Sequence, residues 1–147
     1  MDNLSAFVET LQDLMMQRNI KLVDLSKTTK ITLPVFYAWF NKTAIPTIKN
    51  LIILSSYFDC SVDYLCGRTE HSIMKATNPT AFHVRFSFIM NKSGMSFREL
   101  SAKTKVSLSG LHGFVKGTRK PLLENLIRLA NFFDCSLDYL LGLSDDV

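Results

Sequence analysis

The sequence predicts an all-α chain made of two tandem copies of one five-helix unit. Three observations support this. The phrase from Leu51 to Gly67 (Leu51-Ile52-Ile53-Leu54 through Asp59-Cys60-Ser61-Val62-Asp63-Tyr64-Leu65) recurs as Leu126 to Gly142, an offset of 75 residues. Carried back without a gap, that offset pairs residues 6–70 with 81–145 and gives 22 identities in 65 positions. Within each copy, apolar residues return at helical spacing between residues that cap or stop helices. The predicted organisation is one unit over residues 1–70, a linker over 71–80 and a second unit over 81–147. The linker follows from weak apolar periodicity between Arg68 and Thr80 and from the turn signal Asn78-Pro79.

The elements follow in order. Phe7, Leu11, Leu14 and Met15 lie on one face of a first helix, as do Phe82, Phe86, Ile89 and Met90. Asn19 and Gly94 then tolerate the left-handed conformation that ends helices. Ser96-Phe97-Arg98-Glu99 reads as a capping box opening a second helix around Leu100; its counterpart spans Lys21 to Thr28 around Leu25. Thr32 and Ser107 are suited to cap a third helix, and Pro34 falls in its first turn, where proline is tolerated. Gly117 ends that helix in the second copy. Pro46 and Pro121 precede a fourth helix, with Leu51, Leu54 and Phe58 on its inner face. Ser61 and Ser136 cap a short fifth helix that Gly67 and Gly142 stop.

Bulk properties bound the partners. The 147 residues are 47% hydrophobic, enough to fill two small cores, and carry a formal charge of +4. Residues 1–70 balance seven basic against seven acidic side chains, whereas residues 71–147 hold ten basic and six acidic. A surplus confined to one half suggests a polyanionic partner, though many proteins without one carry as much. Cys60, Cys66 and Cys135 form no paired CxxC, which argues against zinc. Cys60 and Cys135 occupy equivalent positions and read as small buried hydrophobes. No apolar run is long enough to span a membrane. The first residues lack a basic-then-apolar leader, so the expected setting is a reducing cytoplasm.

Three or four residues separate the second and third helices of each copy, the spacing of a helix-turn-helix whose second member can enter a major groove. With the closing phrase and the stretch from Val106-Ser107 to Lys116-Gly117-Thr118-Arg119-Lys120-Pro121, each unit resembles a Cro/lambda-repressor-type helix-turn-helix domain, of the xenobiotic-response-element family. The resemblance implies sequence-specific binding of double-stranded DNA and transcriptional regulation in bacteria or phages, with no cofactor. The segment from Arg68 to Thr80, about 13 residues, reaches at most roughly 43 Å, enough to set two units on successive turns of a duplex.

The copies depart from the family pattern. Leu22 and Phe97 stand where the family often has glutamine. The outward positions of the third helix are expected to be Leu33, Pro34, Val35, Tyr37 and Ala38 in one copy, and Leu108, Ser109, Gly110, His112 and Gly113 in the other. Few of these can read a base edge bidentately. The basic residues of the second copy, Lys103, Lys105, Lys116, Arg119 and Lys120, flank its third helix and read as phosphate contacts, against the alternative of an ordinary solvated face. Ser107, Ser109, His112 and Thr118 join them as candidate DNA contacts. In the first copy the candidates are Thr32, Tyr37 and Lys42, with Lys27, Lys30 and Lys49 nearby.

Trp39 and Phe114 read as core. His71 and His83 lack the partners of a catalytic or ligand site. Asp63 and Asp138 favour the N-termini of their short helices. No nucleophile–base pair or phosphate-cradling glycine loop appears, so an enzyme is not expected. Two readings stand. In one, the chain is a DNA-binding regulator dominated by its second unit. In the other, it is an adaptor or antagonist that keeps the fold and binds protein, or a second copy of itself, through Leu33, Val35, Tyr37 and Phe40.

Overall fold

The computed structural model describes residues 3–70 and 79–147. The expected linker therefore lies outside the described residues from 71 to 78, as does His71. The described residues form ten helices and no strand. The chain divides into two compact units, Met1–Met74 and Lys75–Val147. Unit one runs α1 (Asn3–Gln17), α2 (Leu22–Thr29), α3 (Leu33–Phe40), α4 (Ile48–Phe58) and α5 (Val62–Leu65). Unit two runs α6 (Phe82–Ser93), α7 (Phe97–Thr104), α8 (Leu108–Lys116), α9 (Leu123–Phe133) and α10 (Leu137–Leu140).

Each unit closes around an aromatic cluster. In unit one, Phe7 and Phe36 meet the Trp39 ring edge-on at 5.3 and 5.1 Å. In unit two, Phe82 and Phe86 stack at 5.6 Å and Phe114 stands edge-on to both. At the 75-residue offset, Leu11 and Trp39 have become Phe86 and Phe114, so one large and one small side chain have become two of middle size. Exchanges that conserve total volume are the kind a core tolerates. Trp39 and Phe114 are buried as expected, at 1% and 3% exposure. Cys60 and Cys135 are buried as well.

Helix ends show where local chemistry acted. Ser61, Ser107 and Ser136 accept from backbone N–H groups three residues on, as N-caps should. Ser96 does the same for Glu99 N, and its hydroxyl lies 3.3 Å from Glu99 Oε1. Thr32 differs from expectation: it holds the N-cap position of α3 in extended conformation, yet its side chain makes no capping bond. Pro34 sits in that first turn, and proline has no N–H there to offer.

Among the described residues, five positions of left-handed backbone occur in each unit. They pair at the same offset: Asn19 with Gly94, Lys30 with Lys105, Lys42 with Gly117, Asp59 with Asp134, and Gly67 with Gly142. The backbone turns are thus duplicated even where the residues differ.

In each unit an arginine ties a later helix to the first, by different routes. Arg18, just past α1, donates to Phe58 O at 2.5 Å and stacks over the Phe58 ring. In unit two this role passes to Arg85 within α6. Its guanidinium donates to Tyr139 O and Ser144 O, pairs with Asp145 and lies 4.2 Å from the Tyr139 ring centroid. Arg85 is only 7% exposed, so part of the basic surplus of unit two serves the interior and not the surface. Thr80 N donates to Gly142 O at 2.8 Å, seating the chain just before α6 against the end of α10.

Candidate nucleic-acid interface

The turn between α7 and α8 is held by its own side chains. Thr104 donates to Leu100 O at 2.7 Å and accepts from Val106 N at 3.2 Å. Ser101 donates to Val106 O at 2.6 Å. Lys105 between them takes left-handed φ of 66°. Unit one repeats the arrangement with Ser26, Thr29 and Lys30, at 2.6, 2.7 and 3.3 Å for the equivalent bonds. Sequence reasoning missed these serines and threonines. Their signal was available: all three positions are identical in the two copies, and Thr29 and Thr104 are buried polar residues whose hydroxyls have to be satisfied internally.

On α8, Leu111 and Phe114 point inward, while Ser109, His112 and Lys116 are exposed. The spacing i, i+3, i+7 puts these three on one face. Gly110 and Gly113 were expected to face outward. They are buried instead. A β-carbon on Gly113 would meet the Arg119 side chain and one on Gly110 would meet Ser107 Oγ, so both glycines allow a close approach. Leu108 is partly exposed at 37%.

The basic candidates precede and follow this helix along the chain. Lys103 closes α7 and Lys105 follows it; Lys116 closes α8, and Thr118, Arg119 and Lys120 follow; all six are exposed. Thr118 N and Arg119 N both donate to Gly113 O, at 3.0 and 3.2 Å, folding the chain back beside α8. Ser107 is exposed at the N-cap. His112 is oriented by Phe97, whose ring it meets edge-on at 4.4 Å. Phe97 thus occupies a family glutamine position but buttresses a candidate reader. His83 also lies here, with Cγ 3.2 Å from where a β-carbon of Gly117 would stand.

Unit one presents a different surface. Thr32, Tyr37 and Lys42 are exposed, and Lys42 takes left-handed φ of 59°. Leu33, Val35 and Phe40 are half-buried, so the expected apolar face narrows to Tyr37, at 53% exposure, and the following Ile45, at 55%. Lys27, Lys30 and Lys49 are exposed but dispersed over α2 and α4. No group of three or more His, Cys, Asp or Glu assembles among the described residues, and no helix among them is long and apolar enough to cross a membrane.

Comparison with known proteins identifies the helix-turn-helix of each unit. A helix-turn-helix family profile matches residues 11–65 and again 89–140, covering α2–α3 once and α7–α8 once. An HTH-type transcriptional regulator of Bacillus subtilis (strain 168), YobD, itself uncharacterised, is 36% identical over 52 residues. That stretch is 35% of this chain and 46% of the relative, so the match spans about half of the relative's length. No solved structure matches the chain significantly.

Proposed function

The chain belongs to the helix-turn-helix family, and from that premise we propose that it is a DNA-binding transcriptional regulator in which unit two makes most of the phosphate contact. One observation carries this reading. The exposed face of α8, with Ser109, His112 and Lys116, is flanked on both sides by exposed basic residues, Lys103 and Lys105 before it and Arg119 and Lys120 after it. In a major groove, α8 would offer Ser109 and His112 to base edges, while the flanking cations neutralise phosphates and fix register. Ser107, whose hydroxyl accepts from Gly110 N, would donate its proton to the same backbone, while Thr118 at the other end of the helix turns its hydroxyl to Gly113 O at 3.5 Å and would contribute through its exposed surface. Unit one adds Thr32, Tyr37 and Lys42 more weakly. Two units in one chain would read two half-sites as a dimer does. The role calls for no cofactor and no catalytic step, and it places the chain in the cytoplasm with the DNA.

A titration of random-sequence duplex DNA against the protein at rising salt tests this. About five phosphate contacts predict a log–log slope of roughly −4 to −5. Absence of binding at low salt would overturn the proposal. It would favour the second reading, an adaptor presenting the exposed Tyr37 and Ile45 of unit one to a protein partner.

A further inference from the structure

The fold brings one further titratable side chain, His83, to the C-terminal end of α8. Phe82 and Phe86 both meet the Phe114 ring, which fixes the first turns of α6 against α8. His83 follows Phe82, and its ring comes to rest on Gly117, where α8 ends. An added β-carbon there would lie 3.2, 3.4 and 3.5 Å from His83 Cγ, Nδ1 and Cδ2. A residue from the start of the unit is thus set beside the stretch from Lys116 to Lys120.

The imidazole is exposed. Ser87 Oγ donates to the His83 backbone carbonyl at 2.7 Å, and among the described residues nothing bonds the ring nitrogens. The charged groups of the elements packed here are cations or are already engaged. Lys116, Arg119 and Lys120 are exposed at the α8 end. On α6, Arg85 is buried and pairs with Asp145, and Lys92 lies in the last turn. On α10, which packs on α6, Asp138 is buried. Cations gathered without a counter-charge repel one another, and a phosphate relieves that repulsion.

Unit one serves as an internal control. Counting back 75 residues, His83, Lys116, Gly117, Arg119 and Lys120 correspond to Val8, Asn41, Lys42, Ala44 and Ile45. Val8 is buried, at 7% exposure. The exposed imidazole thus occurs in the copy that carries the run of cations, and a buried apolar residue holds its place in the copy without that run.

We propose that His83 is a further phosphate contact of unit two, reaching the DNA backbone from α6 at the Lys116–Lys120 end of α8 and gripping it more strongly when protonated. The inference rests on the DNA-binding reading above. A protonated imidazole offers two N–H donors and a positive charge, whereas the neutral ring offers one donor and no charge. Imidazole changes charge between pH 5 and 8, so affinity falls as pH rises through that range.

The test is fluorescence anisotropy of a random-sequence duplex with the full chain, at several salt concentrations, at pH 5.5 and at pH 8. His83→Val installs the unit-one residue. It is expected to lower affinity about threefold to tenfold at pH 5.5 and to flatten the log–log salt slope by about 0.9, the share of one phosphate. At pH 8 the two proteins should nearly coincide. His83→Lys should restore the pH 5.5 affinity and slope and hold both at pH 8, which also shows that the fold accepts a change at this exposed site. His112 is a second imidazole on α8, but parent and variants share it, so their differences belong to residue 83. If the parent binds DNA and His83→Val matches it at both pH values, the inference fails and the DNA-binding reading stands. A loss equal at both pH values with an unchanged slope assigns His83 to packing on Gly117 and also overturns the inference. Absence of binding by the parent at either pH overturns the reading itself, and this inference with it.

Discussion

The side chain of Arg119 lies across Gly113, so closely that a β-carbon at residue 113 would stand 2.8–2.9 Å from Arg119 Cβ, Cγ and Cδ. Gly113 therefore positions a candidate phosphate contact. Alanine should raise helix propensity by about 1 kcal/mol yet push Arg119 aside. Gly113→Ala is expected to lower DNA affinity about threefold to tenfold without lowering stability in urea. In an Arg119→Ala background the same change should have no effect on affinity, because the coupling runs through that contact.

Neutralising Lys116, Arg119 and Lys120 together should weaken binding on all DNA sequences and flatten the salt slope by roughly 3, near 0.9 for each phosphate left without its cation. Changing Lys42 and Lys49 to alanine should move the slope less. Fluorescence anisotropy at several salt concentrations measures both. A larger effect at Lys42 and Lys49 would reverse the ranking of the units.

Ser107 and Thr32 occupy equivalent N-cap positions but only Ser107 makes the capping bond, 3.1 Å to Gly110 N. Ser107→Ala should cost about 1 kcal/mol and Thr32→Ala a few tenths. Urea melts of the two variants distinguish them.

Buried Arg85 and surface Arg128 should behave oppositely. Removing the Arg85 side chain leaves Tyr139 O and Ser144 O without the donor they now share, and Arg85→Ala is expected to cost about 1–3 kcal/mol. Arg128 pairs with Glu124 one turn away on an exposed face, so Arg128→Ala should cost under about 0.5 kcal/mol. Chemical denaturation reads both.

Where the sequence was legible, the reason was local. Helical spacing placed Phe7, Leu11, Phe82 and Phe86 inward, and serine caps and left-handed stops marked the helix ends. The repeat then gave the second unit from the first. The site was legible only as far as chemistry follows from position along a helix. Ser109, His112 and Lys116 share a face because of their spacing alone. Gly110 and Gly113 defeated that logic, since a glycine's burial depends on what lies over it, here Ser107 and Arg119. Counting charges misplaced Arg85, because nothing in composition separates a lysine on a rim from a buried arginine donating to two backbone carbonyls. The seat of His83 was equally hidden, since it depends on a glycine where the other copy has a lysine.

The paired left-handed positions differ in backbone cost. Two of the five pairs set a side-chain-bearing residue in unit one, Asn19 and Lys42, against glycine in unit two. A lysine forced into that conformation gives up roughly 1–2 kcal/mol that glycine does not, partly offset by the freer unfolded chain that glycine brings. Position 42 in the first copy thus carries a local conformational cost that its equivalent in the second, Gly117, does not.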